Sequence, residues 1–134
     1  VIDIEADVID LVSTAVLASY ATAIITSEDD AVFVDVPLVS IVMFDNYTDD
    51  TTMTLDAGFG GTGEIVVFFV NIYALTKIAC KDIMKIVTST MGGLNFKTTL
   101  NTPAPNLDRT IKRRQARFIA RVMPGATVNY ISKY

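Results

Sequence analysis

The sequence predicts a single α+β domain, and three observations carry that expectation. Apolar residues recur at three- and four-residue steps over two stretches, near residues 6–20 and 74–91, which is the spacing of amphipathic helices. Runs of β-branched and aromatic residues at 38–44, 64–73 and 111–123 read as strands, with a long polar stretch between the first two. At 134 residues and 51% apolar content, the chain is the size of one domain that buries a core without disulfides or metal.

The first helix is expected over Ala6 to Tyr20, where Val8, Leu11, Val12, Ala15, Val16 and Ser19 make one apolar face. Asp7 and Asp10 stand in its first turn, where carboxylates favour the positive end of the helix dipole. Asp3 or Asp7 is placed to cap it, and the helix should stop near Ser19–Thr22, ahead of the β-branched run Ile24–Thr26. Residues 23–44 read as strands around the acidic turn Ser27-Glu28-Asp29-Asp30, with Ala31 to Val34 starting the return. Pro37 then leads into Leu38 to Phe44. Proline is tolerated there because the first residue of a strand need not donate to the ladder.

Residues 45–63, DNYTDDTTMTLDAGFGGTG, are the longest polar stretch and read as an extended loop or a flexible hairpin arm. Gly58, Gly60 and Gly63 match the spacing GxGxxG, but that fingerprint should follow a strand and open a helix, whereas here it opens a strand. Nucleotide binding is therefore rejected. Asp45, Asp49 and Asp50 lack the Gly and terminal Glu of an EF-hand loop, so calcium is rejected as well. Long loops in small domains are often functional or become ordered on assembly.

Glu64 to Tyr73 is the strongest strand. Val66, Phe68, Val70 and Ile72 point one way, and Ile65, Val67, Phe69 and Tyr73 the other. A strand apolar on both faces must be covered twice: once by the helices, and again by a second sheet layer or a neighbouring subunit. The second helix follows over Ala74 to Met91, with Leu75, Ala79, Ile83, Ile86, Val87 and Thr90 towards the core. On its other side Lys77, Lys81 and Lys85 repeat at four-residue steps as a basic stripe. Gly92-Gly93 should end it, since Gly readily takes the left-handed conformation.

Leu94 to Leu100 reads as a short strand anchored by Phe96. Asn101 to Asn106 is then stiffened by Pro103 and Pro105, which fix φ and remove donors. Ile111 to Met123 alternates: Ala116, Phe118, Ala120 and Val122 share one face, and Arg113, Arg117 and Arg121 share the other with Ile119. Residues 124–134 form a C-terminal tail.

Several function classes lose their parts. There is no His, which removes Ser-His-Asp and Cys-His catalysis and His-ligated metals. Cys80 is alone, so it forms no internal disulfide or zinc cluster, and its helical setting is that of a small buried thiol. No carboxylate dyad is evident, so neither an enzyme nor a cofactor is expected. No apolar run approaches the roughly 20 residues of a membrane helix, and no signal peptide is evident at the N-terminus; the missing initiator Met suggests processing or trimming.

Charge layout is more telling than the net value of −4. All 11 Lys and Arg lie in residues 77–134, with only Asp82 and Asp108 of the 15 acidic residues; the other 13 lie in residues 1–76. Such asymmetry suggests one acidic and one basic surface. The basic one would meet a polyanion, or acidic faces of neighbouring copies. An interleaving fold would instead cancel the charges locally. Against base-specific nucleic-acid recognition, no set of stacking aromatics accompanies the arginines.

The order of elements, closing on MGGLNFKTTLNTPAPNLDRTIKRRQARFIARV, resembles the small tail-completion or tail-terminator proteins of long-tailed bacteriophages. It is nearest to the branch in phages of Gram-positive hosts often labelled minor capsid or head–tail connector proteins. That branch typically shows "GF-R-T" after the second helix, a "P-PN" turn, and "TIYRR-ARY" entering the last strand. The matching segments are Gly93 to Thr99, Pro103-Ala104-Pro105-Asn106-Leu107, and Thr110 to Phe118. The chain departs in having Lys112 where an aromatic is common, and two extra residues between Gly93 and Phe96. The order of elements covers most of the chain, the motifs about a quarter.

The resemblance implies a single antiparallel or mixed sheet with two α-helices packed on it. It also implies a non-enzymatic virion protein whose six copies form a ring. Such rings terminate the tail tube and join it to the head completion or connector protein, and genomic DNA passes through the lumen without sequence-specific binding. The protein would reside in the tail or neck, after assembly in the host cytoplasm. The expected contacts are Arg113, Arg117, Arg121 and the Lys77, Lys81, Lys85 stripe on one side. Asp45, Asp49, Asp50 and Asp56 would lie on the other side or in the lumen. Alternatives are a head-side connector or stopper, and a nucleic-acid-binding accessory domain.

Overall fold

The computed structural model describes residues 4–27, 36–49, 63–105 and 110–122, with 44–49, 63–64 and 121–122 described by their backbone alone. The elements are α1 (Glu5–Ser19), β1 (Ile24–Thr26), β2 (Leu38–Asp49), β3 (Gly63–Ala74), α2 (Lys77–Gly93), β4 (Lys97–Ala104) and β5 (Lys112–Val122). The five strands make one mixed sheet in the order β1-β2-β3-β5-β4. This is the α+β architecture expected from the sequence.

Both helices cover the same face. Val8, Val12 and Val16 of α1 and Cys80, Ile83, Met84, Val87 and Met91 of α2 share one core with Val39 and Ile41 of β2. Val66, Phe68, Val70 and Ile72 of β3 and Ala116, Phe118 and Ala120 of β5 complete it. The alternation read in β3 and β5 is therefore real: one parity of each strand packs under the helices. The opposite face of β2 and β3 carries Leu38, Ile65, Val67 and Tyr73, which are buried outside that core. Neither helix supplies the second cover that a two-sided apolar strand requires.

Local departures from expectation have physical causes. Leu11 is 42% exposed, because the buried stripe of α1 is the narrow four-residue row Ile4, Val8, Val12, Val16. Leu75 is 66% exposed because β3 runs on through Ala74 and α2 begins only after the cap Thr76, so Leu75 lies outside the helix. The Thr76 hydroxyl accepts from the Ala79 N–H at 3.1 Å, satisfying one of the helix's orphan donors. No side chain caps α1; its N-cap is Ile4.

The second helix does not stop at its glycines either. Gly92 and Gly93 belong to α2, and the left-handed residue is Asn95, at φ 68°. Phe96 N–H donates to Met91 O at 3.0 Å, and Asn95 N–H to Gly92 O at 3.0 Å. These are the two bonds of a Schellman motif, with apolar Phe96 and Met91 both buried beneath it. Phe96 then meets Phe68 edge-on, with ring centroids 5.4 Å apart.

Strand extents and pairing also shift. β1 pairs with β2 in parallel, Ile24 opposite Leu38. The expected return at 31–34 lies outside the described residues. β2 continues to Asp49 and pairs antiparallel with β3 from Leu38↔Tyr73 to Asp49↔Gly63, with a bulge between Met43 and Asp45. Hence residues 45–49 are strand, and the rest of the polar stretch, 50–62, lies outside the described residues. β4 runs through Pro103 to Ala104, and Pro103 is accommodated because β4 is an edge strand.

Candidate subunit interface

The topology separates the two charge halves of the chain. The acidic half supplies α1, β1, β2 and β3; the basic half supplies α2, β5 and β4. Because the sheet order is β1-β2-β3-β5-β4, these halves occupy opposite sides of the sheet and are not interleaved. The β1 edge belongs to the acidic half and the β4 edge to the basic half.

On the basic side, Lys77, Lys81 and Lys85 are exposed along one face of α2, with Ile78 beside them at 74% exposure. Lys81 and Lys85 also border a groove of about 370 Å³ between α2 and the β4–β5 pair. Met84, Thr88, Asn101 and Arg114 line it as well. Arg114 stands at even parity in β5 with Ala116 and Phe118, which turns it to the helix side of the sheet, where its Nε donates to Asn101 Oδ1 at 2.8 Å. Thr14 and Thr90 each donate to a carbonyl one helical turn back, whereas the buried Thr88 hydroxyl has no partner. No acidic residue among those described pairs with Lys81, Lys85 or Arg114.

The arginine row expected on β5 is divided by its surroundings. Arg113 is half-buried: its Nε and Nη2 donate to Asn71 Oδ1 at 3.1 and 2.8 Å, its Nη1 donates to Pro105 O at 3.3 Å, and it lies 5.6 Å over the Tyr73 ring. Arg117 is exposed and donates through Nε to Thr99 Oγ1 at 2.9 Å. Arg121 is opposite Ile65 in the ladder, two register steps beyond Ile119↔Val67. A second hollow, of about 350 Å³, is lined by Lys77, Pro103, Pro105, Ile111, Lys112 and Arg113.

On the acidic side, Asp45 and Asp49 stand in β2 opposite Val67 and Gly63, while Asp50 and Asp56 lie outside the described residues. The acidic face the structure does describe is one that sequence reading passed over. Asp7, Asp10, Leu11 and Leu17 are all exposed on α1, at three- and four-residue steps or multiples of them. Their spacing is legible in the sequence, but the wide apolar pattern expected for α1 places Leu11 in the core, whereas the structure leaves it exposed.

Cys80 is buried, its Sγ 3.2 Å from Lys112 O and 3.7 Å from Ile72 O. Burial pushes its thiol pKa up, against the smaller downward pull of a backbone hydrogen bond from Ala74 and of the Arg114 charge. Among the described residues no group of three or more acidic or Cys side chains is placed to hold a metal ion, and no helix is long and apolar enough to cross a membrane.

No protein-family model matches the chain, and no curated protein matches it. Among solved structures, the fold is similar to that of a chain in the virion of a native gene transfer agent particle. The TM-score is 0.60, over 83% of this chain and 90% of that one, at 15% sequence identity. The likeness is one of fold.

Proposed function

We propose that this chain is a structural protein of a phage-like virion. More narrowly, it is a non-enzymatic ring component of the tail or neck, in which six copies terminate the tail tube and join it to the head connector while DNA passes through the lumen. The observation that carries the reading is the fold shared, over most of both chains, with a chain of a gene transfer agent virion. The resemblance of Gly93 to Thr99, Pro103 to Leu107 and Thr110 to Phe118 to phage tail-terminator motifs supports the narrower reading of a tail or neck component. Segregation of the charge halves supports a ring, since copies packed side by side set the basic half of one against the acidic half of the next.

The test is native mass spectrometry and electron microscopy of the purified protein, alone and with the tube protein of its own particle. A hexameric ring that caps tubes and narrows their length distribution is expected. A ring that binds the portal-side connector and ignores the tube would assign it to the head side. A monomer or dimer with salt-dependent DNA affinity would replace the ring with a nucleic-acid-binding accessory domain.

A further inference from the structure

The ring reading leaves open which surfaces meet, and two surfaces on opposite sides of the subunit complement each other. We infer that the α1 face bearing Asp7, Asp10, Leu11 and Leu17 docks on the α2–β4 groove of a second copy of this chain. Lys81, Lys85 and Arg114 there receive the two carboxylates. The inference rests on the ring reading and names its contact.

On α1 the buried row Ile4, Val8, Val12, Val16 leaves Asp7, Asp10 and Leu17 on the far face, with exposed Leu11 at its margin. Carboxylates in a first turn are ordinarily explained by the helix dipole. That does not explain two leucines, 42% and 38% exposed, at the two margins of that acidic face. A face that is acidic at one end and apolar along its length is suited to a surface that is basic and partly apolar.

The groove is such a surface. Lys81 and Lys85 share one helix face, Arg114 reaches in from β5, and Met84 supplies an apolar wall. Their charges are unpaired among the described residues, and the buried Thr88 hydroxyl beside them has no hydrogen-bond partner.

Placement supplies the remaining step. α1 packs over β2 and against α2, whereas the groove lies on the β4 side of α2, so the two surfaces cannot meet within one subunit. Because they are different patches, their contact is head-to-tail and propagates until rotation closes it into a ring. In such a ring the helices of successive subunits form a continuous layer on one face of the sheets.

The test uses two charge-reversed chains, K81E/K85E and D7K/D10K, assayed by native mass spectrometry and sedimentation velocity, with circular dichroism to verify folding. Each variant alone should associate at least about tenfold more weakly than wild type, because like charges face each other. An equimolar mixture should assemble again with the two variants alternating, since every reversed groove then meets a reversed α1 and every unreversed groove an unreversed α1. Leu11→Ser/Leu17→Ser should also weaken assembly, and no charge partner should rescue it. If wild type forms rings and the reversed chains do too, the contact is elsewhere and the inference falls while the ring reading stands. It falls equally if K81E/K85E keeps its ring and loses only tube joining, because the groove then holds another protein. Wild type that never assembles overturns both.

Discussion

Arg113 holds the single side-chain oxygen of Asn71 with two of its nitrogens, at 3.1 and 2.8 Å, across 42 positions of sequence. Asn71 is only 7% exposed and sits on the face of β3 that the helices leave uncovered. The guanidinium thus satisfies a buried amide and, lying over Tyr73, shields apolar surface at the same time. Arg113→Ala should cost about 1–3 kcal/mol in urea unfolding, because the Asn71 oxygen is left without its donors. Arg117→Ala, at an exposed position, should cost less than about 1 kcal/mol. Equal losses at both sites would mean that Arg113 has no special structural share.

The edge-on pair of Phe96 and Phe68 fastens the entry of β4 to the central strand. Phe96→Ala should destabilise by about 3–5 kcal/mol through the cavity it leaves. Phe96→Leu keeps much of the volume but loses the ring geometry, and should cost about 1 kcal/mol. Thermal unfolding of the two variants separates packing volume from ring pairing.

Asn95 is the left-handed residue that turns α2 into β4. Asn95→Val should be less stable than Asn95→Gly by about 1–2 kcal/mol, since a β-branched side chain is strained at φ 68°. Were the two variants equally stable in denaturant titration, the turn would not depend on that conformation.

Cys80 should react with a thiol reagent only as fast as the protein opens, so its modification rate should track denaturant concentration. Its folded thiol pKa is raised, so the folded state holds its proton more tightly than the unfolded chain does. Stability from this group is fully present at low pH and is lost as pH rises past the ordinary thiol value of 9.0. Cys80→Ala should flatten that alkaline decline; an unchanged slope would assign the decline to other groups.

Much of the fold was legible because helix and strand repeats are local. The spacing of Val8, Val12 and Val16, the two-sided run Glu64 to Tyr73 and the alternation Ala116, Phe118, Ala120 follow from the 3.6- and 2-residue periods of the backbone. They locate elements and faces without reference to any distant residue. The candidate interface was legible in part: the lysine stripe is a local repeat. The part played by Arg114, however, follows from the strand that lies beside β5, and a run of basic residues does not reveal it. The α1 face was misread at Leu11 because the pattern admits a wide apolar face, while packing buries only the narrow row of valines.

Amino-acid order alone carries the α+β content, the two-sided apolarity of β3 and the imbalance of charge between the halves of the chain. Tertiary structure alone decided that β1 runs parallel to β2, that β5 inserts between β3 and β4, and that acidic and basic halves therefore fall on opposite sides. It also decided that Arg113 is tied to Asn71 while Lys81, Lys85 and Arg114 converge on one groove. The reason is the range of the interactions involved. Periodicity is imposed within a few residues, whereas strand order is selected by the burial of the whole sheet, and the entropy of closing the intervening loops changes too slowly with their length to leave a local mark.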